Sequence, residues 1–404
     1  MRPKLEYNSK FGQIMYKRQL ENKLKELNRF FPIVSVTGPR QSGKTTLCKM
    51  AFEDYKYINL EDEGDREIIR RDIKGFLTKY SQGLIIDEVH YLPELFSALQ
   101  VVCDEDDSRR YVISGSSNWL LLQNISQSLA GRVALLRLLP LSIEEIGSSE
   151  AYNTDTLIYN GFYPAIWGKG RPVSSVYDSY FSTYIQRDVR QVLNIKDLNA
   201  FRHFVRLCAT RIGNEFVADN LANEVGVSLK TINGWLSVLE TSYVVFRLQP
   251  YYNNPGKRLS KTPKIYFYDV GLACFLLGYG GPGDVANSPL RGALFENMVV
   301  SDVLKCRYNE GKDNNLFFYK DKSKREVDLL MECGGKISAF EIKSATSIHD
   351  EFFRNLDYLR KLYPNDLIST QVVYDGTESW KKNENGFVNF RNLTPIIQRV
   401  QLPR

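Results

Sequence analysis

The sequence predicts a multidomain α/β protein, and three stretches carry that prediction. The first is Gly38 to Thr46, GPRQSGKTT, which lies between an apolar run, Ile33-Val34-Ser35-Val36, and a helix-compatible run, Leu47 to Phe52. Strand, glycine-rich loop and helix in that order are what the phosphate-binding motif G-x-x-x-x-G-K-[ST] needs. The second is a later apolar run, Leu84-Ile85-Ile86, that ends in two carboxylates, Asp87 and Glu88. The third lies beyond residue 290, where helix, three strands, helix and strand follow one another and carry acids and a lysine at set places. A chain of 404 residues has room for about two to four domains with cores of their own.

Composition narrows the class. With 43% hydrophobic and 25% charged residues the chain is ordinarily globular. A net charge of +6 permits a nucleic-acid partner but leaves that question to local clusters. Cys48, Cys103, Cys208, Cys274, Cys306 and Cys333 are scattered with no C-x-x-C pair, against a disulfide framework or a zinc knuckle. His90, His203 and His349 stand alone, against a His-rich metal site. The first residues, MRPKLEYNSK, lack the apolar segment of a secretory signal. No apolar run approaches the ~18 residues of a membrane span. The expected setting is cytoplasmic, in a reducing compartment and without a membrane.

Taken in order, residues 14–29 have helical spacing and a basic start. Two readings of them stay open. Tyr16 and Arg18 meet the base of a bound nucleotide, or the helix is solvated and amphipathic. In the loop that follows, Gly38, Pro39, Arg40, Gln41, Ser42 and Gly43 let the backbone curl with its N–H groups turned inward, and the helix N-terminus at Thr46 adds partial positive charge. Lys44 is expected to reach the β- and γ-phosphates and the Thr45 hydroxyl to ligate Mg²⁺, so the cofactors implied are ATP and Mg²⁺. Tyr55 to Leu60 alternates like a strand, and a helical stretch runs on to about Tyr80. At the tip of Leu84 to Asp87, Asp87 would hold Mg²⁺ through water. Glu88, one residue on, would polarise the attacking water as general base. A further strand, Arg110 to Ser114, ends in GSSN.

GPRQSGKTTL, LIIDEVHYLPELF, ISGSSNWLLLQNISQSLAGR and LLPLS resemble the prokaryotic AAA-type ATPases that carry a C-terminal domain of unknown function similar to PD-(D/E)xK nucleases. The resemblance covers most of the chain and is most specific in its first third. It implies ATP binding and hydrolysis by a P-loop AAA-type ATPase core over residues 1–148, with a helical lid over 149–200. It also implies that Ser114 and Ser116 sit beside the γ-phosphate as sensors. Arg132 follows a helix from Trp119 to Ala130 and its cap, Gly131. In AAA-type ATPases an arginine finger projects from that place toward a neighbour's nucleotide, which implies a homo-oligomer. The other reading is a helix-terminal arginine that neutralises carbonyls. In the lid, Arg187 and Arg190 either sense nucleotide or pair with local acids such as Asp188.

Residues 201–285 read as a winged helix-turn-helix domain. Phe216 to Val225 forms one helix, Gly226-Val227-Ser228 a turn, and Leu229 to Glu240 a second helix with Ile232, Trp235, Leu236 and Leu239 on one face. Lys230, Thr231, Asn233 and Ser237 then face outward, where a recognition helix touches DNA. Strands at Tyr243 to Leu248 and Lys264 to Tyr268 flank a basic wing with Lys257, Arg258, Lys261 and Lys264. The arrangement suits duplex DNA, with the helix in the groove and the wing on phosphates. Such modules also serve as packing or protein-interaction units.

A glycine-proline loop, GYGGPGDVANSP, marks a boundary near residue 285, and residues 286–404 have the α-β-β-β-α-β order of PD-(D/E)xK nucleases. Glu296 falls in the first helix, Asp328 in the second strand, and Glu341 with Lys343 in the third. Glu341 and Lys343 are two apart, so both leave one face of a strand. Asp328 and Glu341 converge to bind a hard divalent cation, which lowers the pKa of a bound water, and Lys343 positions or activates that water against a phosphodiester. Lys320, Lys322, Lys324 and Arg325 flank the site and suit a phosphate backbone. The expectation is an ATP-hydrolysing AAA-type protein that acts on DNA through a winged helix and a metal-dependent nuclease-like domain. The alternative is a nucleotide-gated regulator that binds DNA or a protein partner without cutting.

Overall fold

Short apolar runs between helices suit a parallel sheet buried on both faces. The structure is a computed structural model that describes residues 6–8, 13–115, 129–147, 149–184, 197–251, 262–382 and 385–400. A hairpin of β1 (Glu6–Asn8) and β2 (Gln13–Met15) precedes the apolar runs, which form β3 (Ile33–Thr37), β4 (Lys56–Asn59), β5 (Leu84–Asp87), β6 (Tyr111–Ser114) and β7 (Val133–Arg137). These five strands are parallel, in the order β4-β5-β6-β3-β7. Alternation sends Val34, Val36, Ile85 and Val112 to one face, against α1 (Leu20–Phe30) and α2 (Lys44–Ala51). It sends Ile33, Ile86, Tyr111 and Ile113 to the other, against α3 (Glu63–Arg71), α4 (Ile73–Lys79) and α5 (Glu94–Glu105). Ile86 is wholly buried, so Ile86→Ala would cost about 2–5 kcal/mol through the cavity it leaves. Because β6 lies between β3 and β5, its tip falls between the loop that follows β3 and the two carboxylates, Asp87 and Glu88, at the end of β5.

The chain then enters a helical stretch, α6 (Ile143–Ile146), α7 (Thr154–Asn160), α8 (Pro164–Lys169) and α9 (Val173–Tyr184). Next come α10 (Leu198–Thr210), α11 (Ala218–Val225) and α12 (Leu229–Thr241). A turn through Gly226, with φ of 76°, joins α11 to α12, and Ser228 caps α12 by accepting from the Thr231 N–H at 3.1 Å. Ile232, Trp235, Leu236 and Leu239 are buried on α12, as their spacing requires. An antiparallel hairpin, β8 (Val245–Pro250) with β9 (Lys264–Phe267), follows.

After α13 (Val270–Leu276) and α14 (Pro282–Ala286) comes α15 (Arg291–Asn309), and from Leu294 onward it is buried on nearly every side. It is followed by β10 (Leu316–Lys320), β11 (Glu326–Cys333), β12 (Lys336–Lys343), α16 (Arg354–Leu362), β13 (Leu367–Tyr374), β14 (Trp380–Lys382), β15 (Asn385–Asn389) and α17 (Thr394–Val400). Asp350–Phe353 forms a 3₁₀ turn ahead of α16.

One sheet crosses residue 285. Its order is β14-β15-β13-β12-β11-β10-β8-β9, with β8 parallel to β10 in the register Phe317↔Gln249. One apolar cluster likewise runs from Leu139 through Phe204 and Phe295 to Ile397. The glycine-proline loop is therefore a surface connection between joined units, because β8 finds its partner in β10. The far end of α15 meets the first sheet's unit. There the Lys305 ammonium donates to the Leu141 carbonyl at 2.9 Å, Asp302 accepts from the Ile143 N–H at 2.8 Å, and Arg137 pairs with Asp313 at 2.8 Å.

Candidate functional site

The phosphate-binding loop is shaped by the backbone conformations its residues allow. Gly38 has φ of 144°, and a Cβ there would lie 2.1 Å from the Leu138 carbonyl oxygen, so only glycine lets the loop pass the chain leaving β7. Gly43, with φ of 97°, starts α2. The Lys44 ammonium donates to the carbonyls of Gly38 at 3.0 Å and Pro39 at 2.8 Å. Burial lowers its pKa from the usual lysine range, opposed by Glu88 and Asp87.

Asp87 is where the strand order tells. Its carboxylate accepts from the Thr45 hydroxyl at 2.6 Å, from the Tyr57 hydroxyl at 3.1 Å, and from the Ser114 hydroxyl. Side chains from β4, the tip of β6 and the start of α2 thus converge on the carboxylate at the tip of β5. Glu88 leaves the strand path with φ of 52° and ψ of 45°, an uncommon conformation for a residue with a Cβ. The His90 Nδ1 lies 3.2 Å from its Oε2.

A cavity of about 990 Å³ runs from the loop to the helical stretch. Arg40, Lys44, Thr45 and Glu88 line one side, and Pro164, Lys169, Arg171 and Tyr180 line another. Lys169 and Arg171 are cations that motif reading passes over, because they lie in a glycine-rich turn outside any signature. Tyr16 also lines the cavity. Arg18 is committed to the protein. Its guanidinium donates to the Ser42 carbonyl at 2.7 Å, the Leu139 carbonyl at 2.7 Å and Glu145 at 3.1 Å. Arg132 precedes β7, at the end of the sheet opposite the loop, and its guanidinium pairs with Asp104 at 2.9 Å. Ser116, Arg187, Arg190, Lys257, Arg258 and Lys261 lie outside the described residues. On α12, Lys230 and Asn233 are exposed and Thr231 is half-buried.

A second cluster of charges forms on the larger sheet. The register Leu329↔Phe340 carries Asp328 beside Glu341, and alternation along β12 keeps Lys343 on the same face. The Lys343 ammonium lies 2.7 Å from Glu341 Oε1 and 3.7 Å from Asp328 Oδ2, and Asp328 also accepts from the Ile342 N–H at 2.7 Å. Glu341 Oε2 is buried and has no hydrogen-bond partner among the described residues. Burial, then the charge of Asp328, pushes the Glu341 carboxyl up to about 8. Glu296 reaches the cluster from α15, and burial pushes its carboxyl up to about 7.

Two members of this cluster escape the motif. Lys264, expected on an exposed basic wing, is 3% exposed on β9. Its ammonium pairs with Glu296 at 3.1 Å and with Glu326. Tyr266, two residues on, donates its hydroxyl to Glu296. Lys320 pairs with Glu326 at 3.1 Å, while Lys322, Lys324 and Arg325 are exposed. Among the described residues no three carboxylate, imidazole or thiol side chains are gathered to hold a metal ion. Lys343 instead supplies the positive charge between Asp328 and Glu341.

The parallel order with β6 beside β3, the phosphate-binding loop, the Ser114–Asp87 pair at the strand tips and Glu88 at the cavity define a P-loop ATPase of the AAA type. Residues 31–147 match the family of the AAA domain, residues 152–282 match a domain of unknown function (DUF8612), and residues 291–393 match another (DUF4143). The chain belongs to the family of two uncharacterized proteins of Mycobacterium tuberculosis and Mycobacterium bovis. It is 31% identical to each over 320 residues, which is 78% of this chain and 71% of theirs. A solved structure, the Walker-type ATPase of Pyrococcus abyssi, aligns with a TM-score of 0.46 at 15% identity, covering 68% of this chain and 98% of that one. No helix among the described residues is long and apolar enough to cross a membrane.

Proposed function

We propose that the chain hydrolyses ATP·Mg²⁺ at the loop between β3 and α2 and that this cycle controls a cation-dependent phosphodiester site at Asp328, Glu341 and Lys343, with DNA as substrate. At the first site Thr45 and Asp87 would hold Mg²⁺, which supplies charge to offset the phosphates. Lys44 exchanges two carbonyl partners for phosphate oxygens. Glu88 orients the attacking water and takes its proton. Lys169 and Arg171 close on the nucleotide from the far wall. Arg132, at the opposite end of its own sheet, would serve only the nucleotide of a neighbouring copy, and that use requires its release from Asp104.

The reading of the second site rests on one observation, the buried and unpartnered Glu341 Oε2 beside Asp328. An isolated acceptor in such a place is costly to leave unmade, and a cation would satisfy it. Asp328 and Glu341 would hold that cation, which lowers the pKa of a bound water. Lys343, one-third exposed at its side chain, then swings free to donate to a phosphate oxygen. The first turn of α12, with Lys230 and Asn233, and the exposed Lys322, Lys324 and Arg325 supply contacts for the DNA backbone. The helix–turn–helix and hairpin of α11, α12, β8 and β9 thereby act as a winged helix.

The test is incubation of the full chain with supercoiled, linear and single-stranded DNA, Mn²⁺ or Mg²⁺, and ATP. Cleavage by the wild type and none by Asp328→Asn is the expected result, and intact DNA throughout defeats the cleavage reading. The second reading, a nucleotide-gated regulator that binds without cutting, has its own support in the Lys343 ammonium already bridging the two carboxylates. Salt-dependent DNA binding without cleavage in every metal would favour it.

A further inference from the structure

Arg18 precedes α1 and yet is tied to the middle of the phosphate-binding loop. The Ser42 carbonyl that accepts from its Nη1 at 2.7 Å belongs to the peptide joining Ser42 to Gly43. A trans peptide sends its C=O and its N–H in opposite directions. Fixing that carbonyl therefore fixes the Gly43 N–H, which points away from Arg18 at the start of α2, where backbone N–H groups have no partner within the helix. Arg18 holds the loop because it is itself held. Its side chain is 6% exposed and that of its partner Glu145 1%, and such a pair is stable only when its remaining hydrogen bonds are made. Glu145 Oε1 also accepts from the Gln19 N–H at 2.7 Å and Oε2 from the Ser142 N–H at 2.9 Å, while Arg18 Nη2 donates to the Leu139 carbonyl at 2.7 Å. The stretch from Leu138 to Glu145 thus meets the loop twice, at Gly38 by close approach and at Ser42 through Arg18. The same stretch is gripped by α15, through the buried Lys305 on the Leu141 carbonyl and the buried Asp302 on the Ile143 N–H.

We propose that Arg18 is a positioning residue for ATP hydrolysis, bracing the phosphate-binding loop in its phosphate-accepting shape, and that the brace is anchored through residues 139–145 to α15. The inference rests on the reading of the loop as an ATP-hydrolysing site. It assigns Arg18 to the phosphates and not to the base, and it makes the loop depend on groups outside the AAA domain. Misplacing a site by about 1 Å from outside the chemistry costs about 10²-fold in rate, so loss of the brace is read in turnover and in affinity for phosphates.

The test measures ATP hydrolysis by the full chain, its competitive inhibition by ADP and by inorganic triphosphate, and thermal unfolding. The proteins are the wild type, Arg18→Met, Arg18→Lys, Lys305→Met and Lys44→Met, each assayed well below its unfolding temperature. Arg18→Met is expected to lower kcat/KM by about 10²-fold and to weaken inhibition by ADP and by triphosphate, which carries no base, to the same extent. Arg18→Lys keeps the charge without the planar fork and loses less. Lys305→Met, which leaves Arg18 in place, is expected to show a smaller loss of the same kind. Should Arg18→Met fail to fold, Arg18→Lys carries the test. A lower unfolding temperature with kcat/KM and triphosphate inhibition unchanged, in every Arg18 variant that folds, is the result of a merely structural role and overturns the inference alone. So does weaker inhibition by ADP with none lost for triphosphate, which would place Arg18 on the base. Loss in the Arg18 variants with none in Lys305→Met overturns the anchor in α15. Hydrolysis that Lys44→Met does not lower overturns the reading of the loop, and the inference with it.

Discussion

The two charged sites of this molecule are built in opposite ways. The loop site is local: Gly38 to Thr46 supplies the phosphate cradle, and its charged side chains border an open cavity of about 990 Å³. The acid–lysine site is assembled from α15, β9, β11 and β12, and its carboxylates are buried against lysines. The difference shows in proton affinity. Burial pushes the Glu341 and Glu296 carboxyls up, to about 8 and about 7. The first site faces a cavity with cations on two of its sides, and the second keeps its carboxylates buried against a lysine.

Four changes would break or sharpen that contrast. Glu88→Gln should lower ATP hydrolysis by about 10²–10⁴-fold with nucleotide binding retained, measured by phosphate release and by titration with a nucleotide. Mn²⁺ uptake at Asp328 should not change in it, and a parallel loss there would mean that the sites are not separate. Lys44→Met should lower hydrolysis by about 10²–10³-fold, the usual loss when a donor to transition-state charge is removed.

Glu341→Gln addresses the second site through pH. A carboxyl with a raised folded-state pKa binds more protons folded than unfolded. Its contribution to stability is therefore present below the ordinary carboxylate value and is lost as pH rises toward about 8. Thermal unfolding of the metal-free chain should fall between pH 5 and pH 8, less steeply in Glu341→Gln, and Mn²⁺ should bind more tightly across the same rise because it displaces protons. Equal slopes in the two proteins would remove Glu341 as the titrating group. The smallest effect belongs to Tyr57→Phe. It deletes one of three hydroxyls on Asp87 and should weaken Mg²⁺-dependent turnover about fivefold, the worth of one hydrogen bond.

What could be read from the sequence follows the same division. The placement of the loop, Asp87 and Glu88 was legible because strand, turn and helix signals lie within a few residues of each group, whereas Ser114 was singled out by the resemblance. The positions of Glu296, Asp328, Glu341 and Lys343 were legible as a pattern of elements, and the structure brings them into one cluster. Lys264 was not legible. Its place after a basic loop suggests an exposed wing, while its partners Glu296 and Glu326 lie 32 and 62 positions away. Arg18 misleads in the same way, since its partner Glu145 is 127 positions distant. Nor does composition reveal that β8 pairs with β10 across a glycine-proline loop, because parallel neighbours far apart in sequence leave no local signal.

The central claim, that ATP turnover at the loop governs the acid–lysine site, is tested most directly by the rate of plasmid nicking with Mn²⁺. The comparison is wild type with ATP, wild type without nucleotide, and Glu88→Gln with ATP. The account predicts that nicking by the wild type changes with ATP by about 5–150-fold, the usual span of coupling between sites, and that Glu88→Gln stays at the level of the ATP-bound state. Nicking that is absent, or equal in all three, would contradict it.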